Sequence, residues 1–275
     1  MDTPDGARPG LRAIVTGAAR GIGRAMAQRL ALDSVSRRGR PASLVLADRE
    51  RDELEALAAS LRAGGATVHA VAGDLADPDE PARIVAAARG FGGLDCLASN
   101  AGLALPAALL DARVEDWDRI FAVHVRAAWL LGRAAHPLLA KARGCIVITT
   151  SVSGTQATPP LAAYSPSKAA QIMLMRQMAV EWGPDGIRVS ALPPGLTETP
   201  RPAPAHAKPG ARAAREARIP LRRIARPEDM AAALSMLAGP DAAYVHGHEL
   251  VVDGGLLNTL MPSLTQAAWE DRATR

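Results

Sequence analysis

Cysteine, aromatic residues and long apolar runs are all scarce in this 275-residue chain, and each scarcity closes a class of explanation. With only Cys96 and Cys145, no disulfide framework can staple the fold. Both lie in apolar stretches and are expected as reduced core residues of a cytoplasmic protein. Aromatics make up 3% of the chain, so a core must be built from Ala, Leu and Val. No apolar run reaches the length of a membrane span, so no membrane partner is expected. Met1 to Gly10 carries Asp, Pro, Gly and Arg with no apolar centre, and reads as a flexible leader (residues 1–10) rather than a signal peptide. The six histidines and the acids show no metal-ligand spacing, so no metal is expected. The formal charge of +4 comes from basic residues interleaved with acids, with no aromatic-basic stripe. It reads as solvated surface, not as a nucleic-acid face.

What is present is apolar mass in short blocks, 48% of the residues, enough for the core of one α/β domain. The richest stretch runs from Cys145 to Lys168. Ile146, Val147 and Ile148 predict a buried strand. Tyr164 and Lys168 are four apart, the spacing that stacks two side chains on one helix face. Ser151 falls at the strand's carboxyl end, where open α/β sheets bind ligands. A free tyrosine titrates near about 10. A neighbouring ammonium is expected to lower that value towards the range of a general acid or base. The serine hydroxyl can then hold a substrate oxygen as charge moves on it.

Nearer the N-terminus, Arg12 to Gly23 reads as strand, glycine turn and helix, the opening unit of a dinucleotide fold. Gly17 suits the tight turn, Gly21 lets a pyrophosphate approach, and Gly23 lets helix pack on strand; Arg20 and Ile22 lie among them. The next strand ends at Asp48, an acid placed to bind ribose hydroxyls and repel a 2′-phosphate, which favours NAD. Arg20 and Arg49 could instead pair with that phosphate, so NADP is the less favoured choice.

Together these motifs resemble the short-chain dehydrogenase/reductase family in its compact single-domain form. Tyr164-Ser165-Pro166-Ser167-Lys168 matches its Tyr-x-x-x-Lys, with Ser151 thirteen residues earlier. Thr16 to Gly23 matches its T-G-x-x-x-G-x-G, and Asn100-Ala101-Gly102 its N-N-A-G, with Ser99 in the first slot. Pro194-Gly195 to Thr199 matches P-G-x-x-x-T, and Val252-Asp253-Gly254-Gly255 closes the likeness.

The resemblance implies a Rossmann-like, doubly wound, mostly parallel sheet with helices on both faces over residues 11–256. It implies hydride transfer between NAD(H) and a secondary alcohol or ketone. Tyr164 would exchange the proton, Lys168 would tune it and hold the nicotinamide ribose, and Ser151 would position the substrate oxygen. Asp74 and Leu75 would meet the adenine, although Asp74 also suits a helix cap. Thr197 and Thr199 would meet the carboxamide. Two helical stretches, about 114–141 and 161–183, are apolar on more than one face, and in the family such helices form subunit interfaces, which implies a homotetramer or homodimer. The family's Asn is replaced by His124, which either continues a proton relay to Lys168 or only packs. A relay histidine would make activity fall at acid pH.

The remaining segments are less informative. Asp33 to Pro41 is expected as a silent surface insertion, and 199–221 as a lid whose Arg212, Arg215 and Arg218 face solvent or an anionic substrate. Glu249 to Val252 predicts the last strand, and 257–275 a tail. An NADP-dependent 3-oxoacyl-carrier reductase and a non-catalytic dinucleotide sensor remain as alternatives.

Overall fold

The computed structural model describes residues 9–199 and 210–259, so most of the expected leader, part of the expected lid and most of the tail lie outside the described residues. Six parallel strands form one sheet: β1 (Arg12–Thr16), β2 (Ser43–Asp48), β3 (Thr67–Ala72), β4 (Cys96–Ser99), β5 (Cys145–Thr149) and β6 (Arg188–Leu192), in the order β3-β2-β1-β4-β5-β6. The helices are α1 (Gly21–Arg38), α2 (Arg51–Ala63), α3 (Glu80–Ala86), α4 (Val114–Phe121), α5 (Ala127–Ala142), α6 (Tyr164–Trp182), α7 (Ala211–Glu216) and α8 (Pro227–Ala238).

Strand alternation sorts the apolar residues into two layers. Ala13, Val15, Leu44 and Leu46 face α1, α2 and α8, where Met26, Leu30, Leu54 and Leu234 cover them. Ile14, Val45, Leu97 and Ile146 face the other way, onto Ile84, Leu131, Leu139 and Met175 of α3, α5 and α6. This is the expected doubly wound arrangement. Chain direction reverses its progress across the sheet between β1 and β4, which opens a crevice at their carboxyl ends. Cys96 and Cys145 sit opposite each other on β4 and β5, buried and unbridged, as expected.

Two segments differ from expectation. Residues 33–38 are not a surface insertion but the last turns of α1, closed by Gly39 in the left-handed region at φ 66°. Asp33 is held by Arg29 at 2.9 Å and faces Arg37 at 3.8 Å, ion pairs at helical spacing. Ser34 is fully buried; its hydroxyl accepts from Leu11 N at 2.8 Å and donates to Arg40 O at 2.6 Å, tying α1 to the entry of β1. The expected last strand is reduced to two isolated bridges, Ala191↔Glu249 and Pro194↔Val252. The backbone of 248–252 does run along β6, with Leu250 N donating to Ala191 O and Val252 N to Pro193 O. Pro193 has no N–H to return, so the ladder breaks there.

The long helical stretch is also divided. Between α4 and α5, residues Ala122–Arg126 form a widened π turn. Such turns leave a carbonyl without its helical partner and recur at functional sites.

Ser34 gives a direct test of the α1 correction. Ser34→Ala leaves the buried Leu11 N–H without its acceptor and is expected to lower unfolding free energy by about 1–3 kcal/mol. Urea unfolding measures this; a change within about 0.5 kcal/mol, the range for a surface position, would restore the silent-insertion view.

Candidate active site

The crevice between β1 and β4 is a cleft of about 420 Å³, and it is lined by all the predicted site residues except Gly23 and His124. Its floor at one end is the glycine turn. Gly17 adopts φ +66°, and a Cβ there would sit 2.9 Å from the Cα of Ala101, so the turn and the β4 loop touch backbone to backbone. Gly23 serves packing: a Cβ would lie 2.0 Å from Gly17 O. Thr16 joins the two walls, its hydroxyl accepting from Asn100 N at 3.0 Å and Ala101 N at 3.1 Å. The Asn100 amide donates to Thr16 O at 3.1 Å. Asn100 therefore braces the cleft.

No side chain caps the start of α1, and no acid stands in its first turn. The positive end of an 18-residue helix thus faces the cleft with its N–H groups unclaimed by side chains. That is the arrangement a pyrophosphate needs, so the residues present fit a dinucleotide.

At the β2 end of the cleft, Asp48 accepts from Ala19 N at 3.0 Å and Glu50 N at 3.1 Å. Arg20 is ion-paired with Glu53 and stands 3.9 Å from Glu50; Arg49 meets Glu50 at 3.2 Å. Asp74 does not cap α3, whose first flanking residue is Asp79. It accepts from Ala76 N at 2.9 Å and pairs with Arg119 at 2.6 Å. Burial pushes the Asp74 carboxyl up, but the Ala76 N–H and Arg119 outweigh it and hold it below the ordinary value. Leu75 is buried against the α3 side of the core.

The other end gathers the chemistry. Ser151 follows β5, its hydroxyl accepts from Ser153 N at 3.1 Å, and it lines the cleft together with Tyr164. Lys168 Nζ lies 5.7 Å from the Tyr164 ring centroid. It donates to Thr149 O at 3.0 Å and to Gln171 Oε1 at 2.9 Å. Burial brings the lysine down to about 7. Burial also raises the Tyr164 phenol, with the Ser151 hydroxyl opposing, so the expected lowering is not found. The reason is the dry setting, which disfavours the phenolate more than its neighbours favour it.

His124 lies in the π turn and is fully buried. Its Nε2 accepts from Leu103 N at 3.0 Å, and its Nδ1 is 2.8 Å from Ser167 Oγ. Because Nε2 accepts, Nδ1 carries the proton and donates to Ser167, whose hydroxyl passes on to Tyr164 O at 2.7 Å. Burial, then the charge of Lys168, pushes the imidazole down to about 2. The expectation of a histidine that titrates near neutrality is thereby corrected: His124 stays neutral and ties the Gly102–Leu103 loop to α6. Gly102 lies close to both groups, since a Cβ there would be 3.2 Å from His124 Nε2 and 3.7 Å from Lys168 Nζ.

Pro194, Gly195, Thr197 and Thr199 form the wall opposite, with Thr197 Oγ1 donating to Gly195 O at 3.2 Å. In the described part of the lid, Arg212 is ion-paired with Glu198 and with Glu216, so it is already engaged by protein. Sequence reasoning misses Thr16, Ser167 and Gln171. Thr16 is signalled by its place in the glycine motif; nothing in the apolar run of α6 signals Gln171.

Comparison with known proteins agrees with this geometry. Residues 17–257 match a family model described as enoyl-(acyl carrier protein) reductase. The chain is 37% identical over 259 residues to 3beta-hydroxysteroid dehydrogenase 1 of Eggerthella lenta, covering 92% of this chain and 95% of that protein. This chain is a short-chain dehydrogenase/reductase. Meso-2,3-butanediol dehydrogenase of Serratia marcescens is 34% identical over 244 residues, covering 88% and 92%. A crystal structure from Beutenbergia cavernae, assigned as an NAD(P)-dependent gluconate 5-dehydrogenase with NADP at low occupancy, superposes with a TM-score of 0.83. It is 35% identical and covers 92% of this chain and 98% of that one. The chain is accordingly a dinucleotide-dependent oxidoreductase, with relatives named as dehydrogenases of a hydroxysteroid and of butanediol. Among the described residues, no helix is long and apolar enough to cross a membrane and no cluster of acids, His or Cys could hold a metal.

The neutral His124 has a consequence for stability. Its folded value, about 2, lies below the ordinary 6.5, so the unfolded chain binds the proton more tightly. The stability it contributes is complete above about pH 6.5 and is lost as pH falls towards 2. Between about pH 7 and pH 5, wild type is expected to lose about 2 kcal/mol more than His124→Asn, read by urea unfolding. Parallel losses in the two proteins would contradict a neutral, buried imidazole.

Proposed function

We propose that this protein is an NAD(H)-dependent dehydrogenase/reductase of secondary alcohols and ketones, with Tyr164 as the proton donor and acceptor. The observation that carries the reading is the gathering of Ser151, Tyr164 and Lys168 in one cleft, with the Lys168 amine 5.7 Å from the Tyr164 ring centroid, at the carboxyl end of β5. When bound, the nicotinamide supplies or accepts the hydride. Ser151 holds the substrate oxygen. Burial keeps Tyr164 protonated, the form that donates to that oxygen when a ketone is reduced. Lys168 keeps one ammonium hydrogen beyond the two it gives to Thr149 and Gln171, free to hold a ribose hydroxyl in the cleft. The Pro194–Thr199 wall faces the carboxamide.

The preference for NAD rests on charge. Around the ribose edge, Asp48, Glu50 and Glu53 set three carboxylates against the two guanidiniums of Arg20 and Arg49, a local balance of −1. Both arginines already have acidic partners, and a 2′-phosphate would add further negative charge. The Beutenbergia protein's NADP and the family model's acyl-carrier description favour the second reading, an NADP-dependent 3-oxoacyl-carrier reductase. Side-by-side titration decides between them: NAD should bind more tightly, and Asp48→Ala should narrow the gap. A tenfold preference for NADP, about 1.4 kcal/mol, would favour the second reading.

Activity is tested by a panel of secondary alcohols and ketones followed through NADH absorbance. Tyr164→Phe should turn over at a background rate while binding NADH like wild type; substantial residual turnover would remove Tyr164 from its role. A second copy of the chain suits the outer faces of α5 and α6, where Trp129, Met173 and Val180 are 42%, 59% and 78% exposed. Sedimentation at micromolar protein reads this directly, and a monomer would count against it. The two free, buried cysteines fit a reducing, cytoplasmic setting.

A further inference from the structure

Gln171 enters the mechanism above only as one acceptor of the Lys168 ammonium, yet it is 1% exposed and makes two hydrogen bonds at the centre of the site. Its Oε1 accepts from Lys168 Nζ at 2.9 Å, and its Nε2 donates to the backbone carbonyl of His124 at 2.7 Å. That carbonyl belongs to the π turn, Ala122–Arg126. Gln171 therefore bridges α6 to the widened turn, a kind of irregularity that recurs at functional sites.

We propose that Gln171 is a positioning residue for the reaction: its amide spans from the π turn to Lys168 and fixes the lysine amine beneath Tyr164. The inference rests on the assignment of Tyr164 and Lys168 as the reacting pair. The amide is oriented by chemistry, since only its NH₂ can meet a carbonyl and only its oxygen can meet an ammonium. With Thr149 O as the second acceptor, two of the three ammonium hydrogens are committed and the third is left for the cleft. An amide here also has a limit. It holds the amine without taking up or releasing a proton, so Gln171 is not itself a proton route to Lys168. The titratable groups that face the amine are Tyr164 on its own helix and His124 on the π turn; β5 presents a carbonyl.

The test reads Lys168 itself. The sequence contains three lysines, Lys141, Lys168 and Lys208, so protein labelled with ¹³C at the lysine ε-carbon gives three signals, assigned by single Lys→Arg substitutions. Lys168 in wild type should titrate near 7, as its burial dictates. Gln171→Glu places a carboxylate against the amine and should raise the midpoint by about one unit or more. Gln171→Met removes the acceptor and should lower it. If the methionine variant fails to fold, Gln171→Asn, too short to span both partners, should lower the midpoint in its place. Turnover should follow, with kcat falling about tenfold or more in the Met or Asn variant and KM for the alcohol little changed. Coincident midpoints in wild type and the folded variants would overturn the proposal. Because the titration needs neither cofactor nor turnover, an unexpected substrate or an inactive Tyr164 would leave the result for Gln171 intact.

Discussion

The site depends on keeping one amine out of water. An ammonium buried without partners costs several kcal/mol or more. Lys168 is buried and comes down to about 7, so near neutrality it is poised between charged and neutral forms. What makes the burial tolerable is a set of fixed acceptors from three elements. Thr149 O is the last carbonyl of β5, Gln171 lies one helical turn along α6, and the π turn holds Gln171 from the far side. Each acceptor is backbone or is tied to backbone, so the amine cannot drift without giving up hydrogen bonds whose partners are held in place.

The rest of the fold supplies the frame for that arrangement. A parallel sheet brings the ends of β1, β4, β5 and β6 to one edge, and the reversal between β1 and β4 keeps the crevice open. Thr16 closes the gap between the glycine turn and the β4 loop, and His124 closes the gap between that loop and α6. Both work as neutral hydrogen-bonding struts. The cost is carried as acid sensitivity, because a neutral buried imidazole stabilises only while the unfolded chain is also unprotonated.

Much of this is legible in the sequence because it is written locally. Ile146 to Ile148 form the predicted strand within β5, Arg12 to Gly23 is the predicted strand, turn and helix start, β2 ends at Asp48, and nearly every candidate site residue reaches one cleft. The misses have tertiary causes. Asp33 and Ser34 look like loop residues; Asp33 pairs with Arg29 at helical spacing, while Ser34 is satisfied by Leu11 and Arg40, partners outside the helix that the local string does not point to. The last strand pattern is right in composition, but its ladder fails at Pro193, a donor missing on the neighbouring strand rather than its own. A π turn is a change of one hydrogen-bond register, which leaves no mark on composition. The direction of the Tyr164 shift depends on the depth of burial, which no spacing encodes.

The central claim is that this cleft carries out direct hydride transfer under the control of Tyr164. It is tested most directly with NADH bearing deuterium at C4 and a ketone accepted by the enzyme, the product alcohol being analysed by mass spectrometry and NMR. The account predicts deuterium from one face of C4 at the carbinol carbon, none acquired there from D₂O when unlabelled NADH is used, and label transfer cut to background in Tyr164→Phe although it binds NADH. Carbinol hydrogen drawn from solvent, or undiminished label transfer in Tyr164→Phe, would contradict it.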